Sequence, residues 1–323
     1  MSRRVLVTGA TGFVGANLVR RLLADHHDVH VLVRPQHHAW RLEAVRPDVQ
    51  WHAADLTEPD AVKTIIERVR PEWIFNLAAH GAYSWQLEAN EMIATNLTGT
   101  LLLLEACARL GFLAFVQAGS SSEYGFKDHA PDEAEALSPN SYYAVTKASA
   151  TLLCRFLGES RQLPIRTLRL YSVYGRYEEP RRLFPTLVVH AMHGRLPPLV
   201  NPETARDYVY VDDVCDAFIE AADSPGQEPG AIYNIGSGVQ TSLRQVVEVA
   251  RRVFGLDAKP EWGSMAARSW DTQCWVSDPR SAATRLGWRS RCTLEQGLSA
   301  MAAWFATDPA VTKRYEDRIL GSA

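Results

Sequence analysis

An apolar segment followed by three spaced glycines is the feature that most constrains how this chain folds. The strand-like run Val5–Val7 leads into Gly9, Gly12 and Gly15, and a helical pattern covers Val14–Ala24. In such a turn the first glycine permits a tight bend, the second lets main chain approach a pyrophosphate, and the third lets the helix pack closely. The helix N-terminus offers amides and partial positive charge to phosphate. The order strand, turn, helix therefore predicts a dinucleotide-binding unit.

Strand-like and helical patterns alternate through the first half of the chain. Six apolar runs predict strands: Val5–Thr8, Val29–Val33, Val49–His52, Trp73–Leu77, Leu113–Gln117 and Ile165–Leu170. Four patterns predict helices: Val14–Ala24, Ala61–Val69, Asn90–Leu110 and Tyr143–Gly158. Continuous apolar strands that alternate with helices predict a parallel sheet covered on both faces. The expected fold is a doubly wound (Rossmann) α/β fold.

The alternation weakens after residue 171, where prolines become frequent. We predict a dinucleotide-binding domain over residues 1–171 and a smaller, loop-rich substrate lobe over 172–323, with some segments returning to the first domain. Helical patterns in this lobe cover Asp212–Ala222, Leu243–Phe254 and Leu294–Phe305, and a strand-like run covers Ala231–Ile235.

Composition argues against several classes of function. The formal net charge is −3 and no polybasic stripe is present, so the sequence does not favour nucleic acid or membrane surfaces. No apolar run approaches the length of a membrane helix, and the first apolar run is too short for a secretory signal. The five cysteines are scattered without a CxxC pair, which predicts reduced thiols, no bound metal and a cytoplasmic location.

The end of the second predicted strand bears on the choice of cofactor. An acidic residue there would bind a ribose 2′-hydroxyl, but Arg34 follows Val33. A guanidinium suits a 2′-phosphate, so the sequence favours NADP(H), with NAD(H) as the alternative if Arg34 only stacks on adenine or faces solvent. Asp55, after the third strand, is expected either to accept a bond from the adenine amine or to cap the next helix.

A serine, a tyrosine and a lysine form the candidate catalytic set. Ser120 follows an apolar strand, and Tyr143 and Lys147 lie four residues apart on a predicted helix, hence on one face. A phenol has a pKa of about 10, and a nearby ammonium together with a cationic nicotinamide would lower it. Tyr143 would then exchange a proton with a substrate hydroxyl while hydride passes to or from the cofactor. Ser120 would bind the same oxygen, and Lys147 the nicotinamide ribose.

These motifs together resemble the extended short-chain dehydrogenases/reductases, in the branch of nucleotide-sugar epimerases, dehydratases and reductases. The likeness runs from the glycine turn to Trp288. The further matching segments are Asp55-Leu56, Asn76 to Ala79, Asn96 with Gly99-Thr100, Ser120 to Gly125, and Arg206 to Val214. The resemblance implies an NDP-sugar substrate and a homodimer built from the helices near Asn90–Leu110 and Tyr143–Gly158. It also assigns cofactor contacts to Phe13, Leu56, Ala78 and Ala79, and diphosphate contacts to Arg206 and Arg268.

Several other residues are candidates for binding the sugar. His80 and Tyr83 lie in the loop after the fourth strand, where His80 would bond a hydroxyl and Tyr83, beside Trp85, would stack on the ring. Packing is the alternative role for these rings. Ser121 and Ser122 follow the candidate catalytic serine, and Ser172 stands where the family has asparagine.

The residues after Ser120 bear on the type of reaction. The family's 4,6-dehydratases resemble one another in an acid or an Asp-Glu pair directly after the catalytic Ser or Thr, whereas Ser121 and Ser122 occupy those positions here. Glu123 comes one place later and is expected on another face, as a solvent-facing or supporting carboxylate. The sequence favours NADPH-dependent reduction of an NDP-4-keto-6-deoxyhexose. The alternatives, in order, are a 4-epimerase with retained cofactor, and then a 4,6-dehydratase or a non-catalytic dinucleotide-binding protein.

Overall fold

A computed structural model describes residues 2–83, 85–224, 226, 228–266 and 272–321. Its strands are β1 (Arg4–Thr8), β2 (Asp28–Val33), β3 (Gln50–Ala53), β4 (Trp73–Asn76), β5 (Ala114–Ser120), β6 (Ile165–Leu170), β7 (Ser172–Tyr174), β8 (Ala205–Tyr210), β9 (Ala231–Ile235) and β10 (Gln240–Ser242). Seven of them form one parallel sheet in the order β3-β2-β1-β4-β5-β6-β9. A second, three-stranded sheet has the order β10-β8-β7.

Ten α-helices are found among the described residues. They are α1 (Phe13–Ala24), α2 (Pro59–Val69), α3 (Ala89–Met92), α4 (Gly99–Ala108), α5 (Tyr142–Arg161), α6 (Leu183–Met192), α7 (Val211–Asp223), α8 (Leu243–Phe254), α9 (Leu294–Thr307) and α10 (Pro309–Ile319). A π-helical turn over Ile93–Thr98 joins α3 to α4. The seven helices expected from periodicity are all present, with Asn90–Leu110 divided into α3 and α4, whereas α6 and α10 were not among the seven.

The parallel sheet has a hydrophobic core on each face, as a doubly wound fold requires. Val5 and Val7 point into a core shared with α1 and α7. Leu6, between them, points to the opposite core with α2, α4 and α5. Side chains alternate between the two faces along a strand, so a strand buried on both faces is apolar at every position. This explains the continuous apolar runs from which the parallel sheet was predicted. The predicted fold is confirmed.

The strand Ala231–Ile235 does not stay among the lobe elements with which the sequence analysis grouped it. It pairs with β6 in parallel and forms the last strand of the main sheet, with Tyr233 and Ile235 fully buried. Helix α7 also packs on the main sheet beside α1, whereas in the lobe Leu199 and Val200 form a small core with Leu243 and Val247 of α8. The carboxyl ends of the parallel strands therefore face this lobe, where a ligand binds in such folds.

Candidate active site

The glycine turn has the shape that a dinucleotide requires. Gly9 has φ +64°, and a Cβ there would lie 2.5 Å from the Leu77 carbonyl. A Cβ on Gly15 would collide with the Gly9 carbonyl oxygen. Helix α1 begins at Phe13 with Gly12 as N-cap, and no side chain among the described residues caps it. The first amides of α1 thus remain available to a pyrophosphate, so these residues fit the cofactor.

The residues expected at the adenosine end lie at the carboxyl ends of β2 and β3. Arg34 is exposed directly after β2, and its carbonyl oxygen lies 2.7 Å from His37 Nδ1. Asp55 does not cap α2; its Oδ1 accepts bonds from the Thr57 amide and hydroxyl at 2.9 and 2.8 Å. One carboxylate oxygen of Asp55 is therefore used locally, and its adenine contact stays a prediction. Leu56 is buried beside it.

Buried polar side chains fix the main chain at the end of β4. The Thr8 hydroxyl donates to Asn76 Oδ1 at 2.5 Å and accepts from the Ala78 amide at 3.2 Å. Asn76 donates to Thr100 and Gln117 at 3.1 and 2.7 Å. This network sets the course of Ala78 and Ala79 beside the glycine turn.

The structure brings Ser120 and Tyr143 into contact. Ser120 ends β5, and Tyr143 lies in the first turn of α5, whose N-cap Ser141 accepts from the Ala144 amide at 3.1 Å. The Ser120 side chain interacts with the Tyr143 phenol and acts to lower its pKa. Lys147 is buried one turn further along α5, and its Nζ donates to the Ala118 carbonyl oxygen at 2.5 Å.

In the absence of the cofactor, burial is the largest influence on the pKa of Tyr143, and the lowering expected from Lys147 together with a cationic nicotinamide stays a prediction. Burial raises the pKa of Tyr143 to about 12, the Ser120 side chain opposes that rise, and the Glu123 charge adds to it. Burial also lowers the pKa of Lys147, although Glu123 opposes this. Desolvation disfavours the charged phenolate, and a bound cationic nicotinamide would favour it. Without the cofactor Tyr143 is therefore a proton donor at neutral pH.

Glu123 is buried behind the serine turn and supports it. It is fully buried; Oε1 accepts from the Ser120 amide at 2.8 Å and from the Thr151 hydroxyl at 3.0 Å. Its Oε2 accepts from Arg169 Nε at 2.8 Å. Arg169 also donates to the Tyr124 hydroxyl at 2.8 Å. Of the two roles expected for Glu123, the supporting one is realised and the solvent-facing one is wrong.

The loop after β4 is held by the π-helical turn. Asn96 accepts from the His80 amide at 2.8 Å and donates to the His80 carbonyl oxygen at 2.9 Å. The His80 ring lies 3.4 Å from Glu88. Tyr83 stacks on Trp85 with ring centroids 4.7 Å apart, and burial raises the pKa of Tyr83. Their roles in binding sugar stay predictions.

Trp275 joins two of the expected substrate residues and was missed from the sequence. Its Nε1 donates to the Ser121 hydroxyl at 3.2 Å, and the Arg206 guanidinium lies 5.4 Å from its ring centroid. Ser122 lies 2.7 Å from the Ser120 hydroxyl. A tryptophan in a loop 154 residues from Ser121 carries no local signal that predicts this contact.

Two further candidates complete the sequence-predicted set. Ser172 begins β7, is partly buried, and pairs in register with Tyr208. Arg268 lies outside the described residues, so its diphosphate contact stays a prediction. In the described part of the chain, we find no helix both long and apolar enough to span a membrane.

Comparison with known proteins identifies the family. Residues 5–236 match the NAD dependent epimerase/dehydratase family. The chain is 30% identical to dTDP-glucose 4,6-dehydratase of Streptomyces griseus, over 94% of both chains. It is also 30% identical to UDP-glucose 4-epimerase of Mycolicibacterium smegmatis, over 94% of this chain and 98% of that one. The protein belongs to the NAD-dependent epimerase/dehydratase family and is an enzyme of the extended short-chain dehydrogenase/reductase type.

Similar structures and longer relatives agree with this family. UDP-glucose 4-epimerase of Thermus thermophilus, solved in complex with NAD, is 28% identical with a TM-score of 0.80, over 94% of this chain and 98% of that one. A trifunctional UDP-glucose 4,6-dehydratase/UDP-4-keto-6-deoxy-D-glucose 3,5-epimerase/UDP-4-keto-L-rhamnose-reductase of Arabidopsis thaliana is 28% identical over 95% of this chain. This chain spans about half of that protein, namely 47% of its length.

Proposed function

We propose that this enzyme reduces a nucleotide-linked 4-keto-6-deoxyhexose with NADPH. The observation that carries the proposal is the buried state of Glu123. Both of its oxygens accept hydrogen bonds within the protein, from Ser120, Thr151 and Arg169. A dehydratase needs an acid beside the reacting serine to remove the C5 proton. With Ser121 and Ser122 at the two positions before it, the turn supports hydride chemistry without elimination.

The geometry supports a separate role for each of the three candidate catalytic residues in the reduction. When bound, the reduced nicotinamide supplies the hydride to the carbonyl carbon of the sugar. Tyr143 gives its phenolic proton to the carbonyl oxygen, and a secondary alcohol forms. Ser120, whose side chain interacts with Tyr143, binds the same oxygen and orients it. Tyr143 then recovers a proton from solvent, and Lys147 positions the ribose next to it.

Several residues are proposed to hold the rest of the substrate. Arg206, stacked against Trp275, would bind the diphosphate, with Arg268 as a second contact. Ser121, which directly follows Ser120, accepts a hydrogen bond from the Trp275 indole and would contact the substrate there. Ser172, His80 and Tyr83 would line the sugar.

Arg34 supports the choice of NADPH. Its exposed guanidinium stands directly after β2, where the ribose 2′-substituent lies in such folds. We expect Arg34→Ala to weaken NADPH binding by about tenfold to a hundredfold, since a charge-assisted phosphate contact is lost. Affinity for NADH is the internal control and should change little. Equal loss for both cofactors would contradict this role.

Epimerisation at C4 is the second candidate function. One relative of 30% identity is a UDP-glucose 4-epimerase, and such a reaction needs the same three residues and no acid pair. An epimerase returns the hydride to the sugar, so it shows no net consumption of reduced cofactor.

A cytoplasmic homodimer is proposed for the assembled enzyme. Helix α5 exposes apolar side chains at Val145, Leu152 and Phe156, where 46%, 54% and 63% of each residue is accessible. Their spacing places them on one face, and an unpartnered apolar face of this kind suits association. Sedimentation of the purified chain tests the dimer, and a monomer at micromolar concentration would contradict it.

The decisive experiment follows reduced nicotinamide by absorbance with a panel of nucleotide-linked 4-keto-6-deoxyhexoses. We expect stoichiometric consumption of NADPH, and Tyr143→Phe should slow it by about 10²–10⁴-fold because the proton donor is lost. Cofactor binding by Tyr143→Phe is the control for folding. Interconversion of ordinary nucleotide-hexose epimers without net consumption would instead establish the epimerase.

A further inference from the structure

The turn that carries Ser120 is tied to a buried ion pair that takes no part in the proposed chemistry. Ser120 caps the short 3-10 turn Ser121–Tyr124, and the Glu123 carboxylate returns to the Ser120 amide at 2.8 Å. Glu123 and Arg169 expose 0% and 2% of their side chains. Charges this deeply buried are costly to desolvate, so their retention here calls for a physical explanation beyond anchoring.

The ion pair lies beneath all three candidate catalytic residues. Thr151, which donates to Glu123 Oε1 at 3.0 Å, is one helical turn beyond Lys147 on α5. The Glu123 charge acts on both Lys147 and Tyr143. By accepting the hydrogen bond of the Ser120 amide, Glu123 also fixes the serine whose side chain acts on the pKa of Tyr143.

We propose that Glu123 is a positioning residue that fixes Ser120 and places a negative charge near Tyr143, which keeps Tyr143 in its protonated form. This rests on the proposed reduction, in which Tyr143 must start protonated. A negative charge near a phenol disfavours the phenolate, so Tyr143 stays a donor over a wider pH range. The same charge compensates Lys147, which would otherwise pull Tyr143 towards the phenolate.

Other groups face Tyr143 and set the background for this effect. They are Ser120 at the end of β5, Tyr83 from the loop after β4, Arg182 at the start of α6, and Lys147 on its own helix. Arg169 and Lys147 face Glu123, where burial raises the pKa and both cations oppose that rise. Arg169 itself faces Tyr124 and Glu133 as well.

The test measures the ionisation of Tyr143 directly, without a sugar. Tyrosinate absorbance is titrated in the NADP⁺ complex, and the trace of the matching Tyr143→Phe protein is subtracted. Two variants are compared with the parent: Glu123→Gln, and Glu123→Gln/Arg169→Met, which leaves no unpaired buried charge and decides the matter where the single variant does not fold. Asp213→Asn is the matched control, since Asp213 is a buried carboxylate that accepts three bonds, from Ser290, Arg291 and Cys292.

We expect the midpoint of Tyr143 to fall by about one pH unit in Glu123→Gln and by less, in the same direction, in the double variant. The falling limb of single-turnover NADPH oxidation against pH should move equally. Asp213→Asn should lose stability without moving either midpoint. A Tyr143 midpoint equal to the parent's in the double variant would overturn the proposal. If no keto sugar is reduced yet the midpoint moves, the proposed reduction fails while the role of Glu123 stands.

Discussion

Two loops flank the candidate site, and each buries one glutamate in a different way. In the turn after β5, Glu123 has every oxygen bonded and an arginine partner at 2.8 Å. In the loop after β7, Glu178 is 5% exposed, its Oε2 has no hydrogen-bond partner among the residues that the structure describes, and Arg182 Nε lies 3.8 Å from its Oε1. Burial raises the pKa of Glu178 to about 8. The buried carboxylate of the first loop is thus fully hydrogen-bonded, whereas that of the second loop has an unsatisfied oxygen among the described residues.

The difference indicates which loop is rigid and which responds to conditions. A satisfied buried network specifies one arrangement, whereas an unsatisfied polar group lowers the stability of the segment that holds it. The second loop is nonetheless anchored, because Arg41 donates to the Tyr177 carbonyl oxygen at 2.7 Å and Tyr315 donates to that of Glu178 at 2.5 Å. Tyr177 also has φ +67°, a strained value for a non-glycine residue.

The largest expected effect comes from Gly125, which ends the first loop. It has φ +70°, and a Cβ would collide with the Ser138 carbonyl oxygen, which is main chain and cannot rotate away. Gly125→Ala should lower the free energy of unfolding by about 4 kcal/mol or more. Gly175→Ala, in the second loop, meets the Val211 side chain at 2.6 Å and should cost about 1–3 kcal/mol.

Denaturant titration measures both variants. Gly111→Ala is the control, since Gly111 has φ +76° with nothing within 4 Å of its Cβ, so it reports the conformational cost alone. If both variants lost the same free energy of unfolding, the first loop would be no more rigid than the second.

The second effect concerns Glu178 and depends on pH. Its folded pKa of about 8 lies above the ordinary value of 4.5, so the folded state binds more protons between these values. The stability it contributes is present below pH 4.5 and is lost as pH rises through about 8. Glu178→Gln should therefore match the parent near pH 5 and be more stable by about 2–4 kcal/mol near pH 9.

Thermal unfolding between about pH 5 and pH 9 checks this sign. Glu91→Gln, at an exposed glutamate, is the control and should show no such trend. A variant that is less stable than the parent at the alkaline end would mean that Glu178 is paired and that the two loops are alike.

The smallest effect tests one bond of the closed network. Thr151 is fully buried and donates to Glu123, and Thr151→Val keeps its shape without the hydroxyl. We expect a loss of about 1 kcal/mol in the free energy of unfolding. Thr64→Val, exposed on α2, should change stability by less. An unchanged free energy of unfolding in Thr151→Val would show that the hydrogen bonds from Ser120 and Arg169 are enough to stabilise the buried Glu123 carboxylate.

The sequence predicted the parts of the molecule that depend on local pattern. The apolar runs predicted all six early strands, because a strand that is buried on both faces consists of consecutive apolar residues. The glycine turn was equally clear, because Gly9 and Gly15 are required by close main-chain approach. The spacing of Tyr143 and Lys147 placed them on one helix face.

The parts that were missed depend on contacts between distant segments. Glu123 meets Arg169 46 residues away, and Trp275 meets Ser121 across 154 residues. The raised pKa of Tyr143 arises from burial, which a spacing on a helix does not disclose. The membership of Ala231–Ile235 in the main sheet was likewise invisible, since a short apolar run fits a strand in either sheet.

The position of β9 has a consequence for how the chain reaches its final shape. About sixty residues separate β6 from β9 in the sequence, and β9 is the strand that pairs with the outer side of β6. Until β9 has been synthesised, β6 therefore remains the edge strand of the sheet. Asn234 on β9 accepts the Tyr124 hydroxyl bond at 2.8 Å, and Tyr124 in turn holds Arg169. The support beneath Ser120 is therefore completed only when that late strand docks. During synthesis, the nascent first half would acquire its cofactor turn early and its reactive centre last.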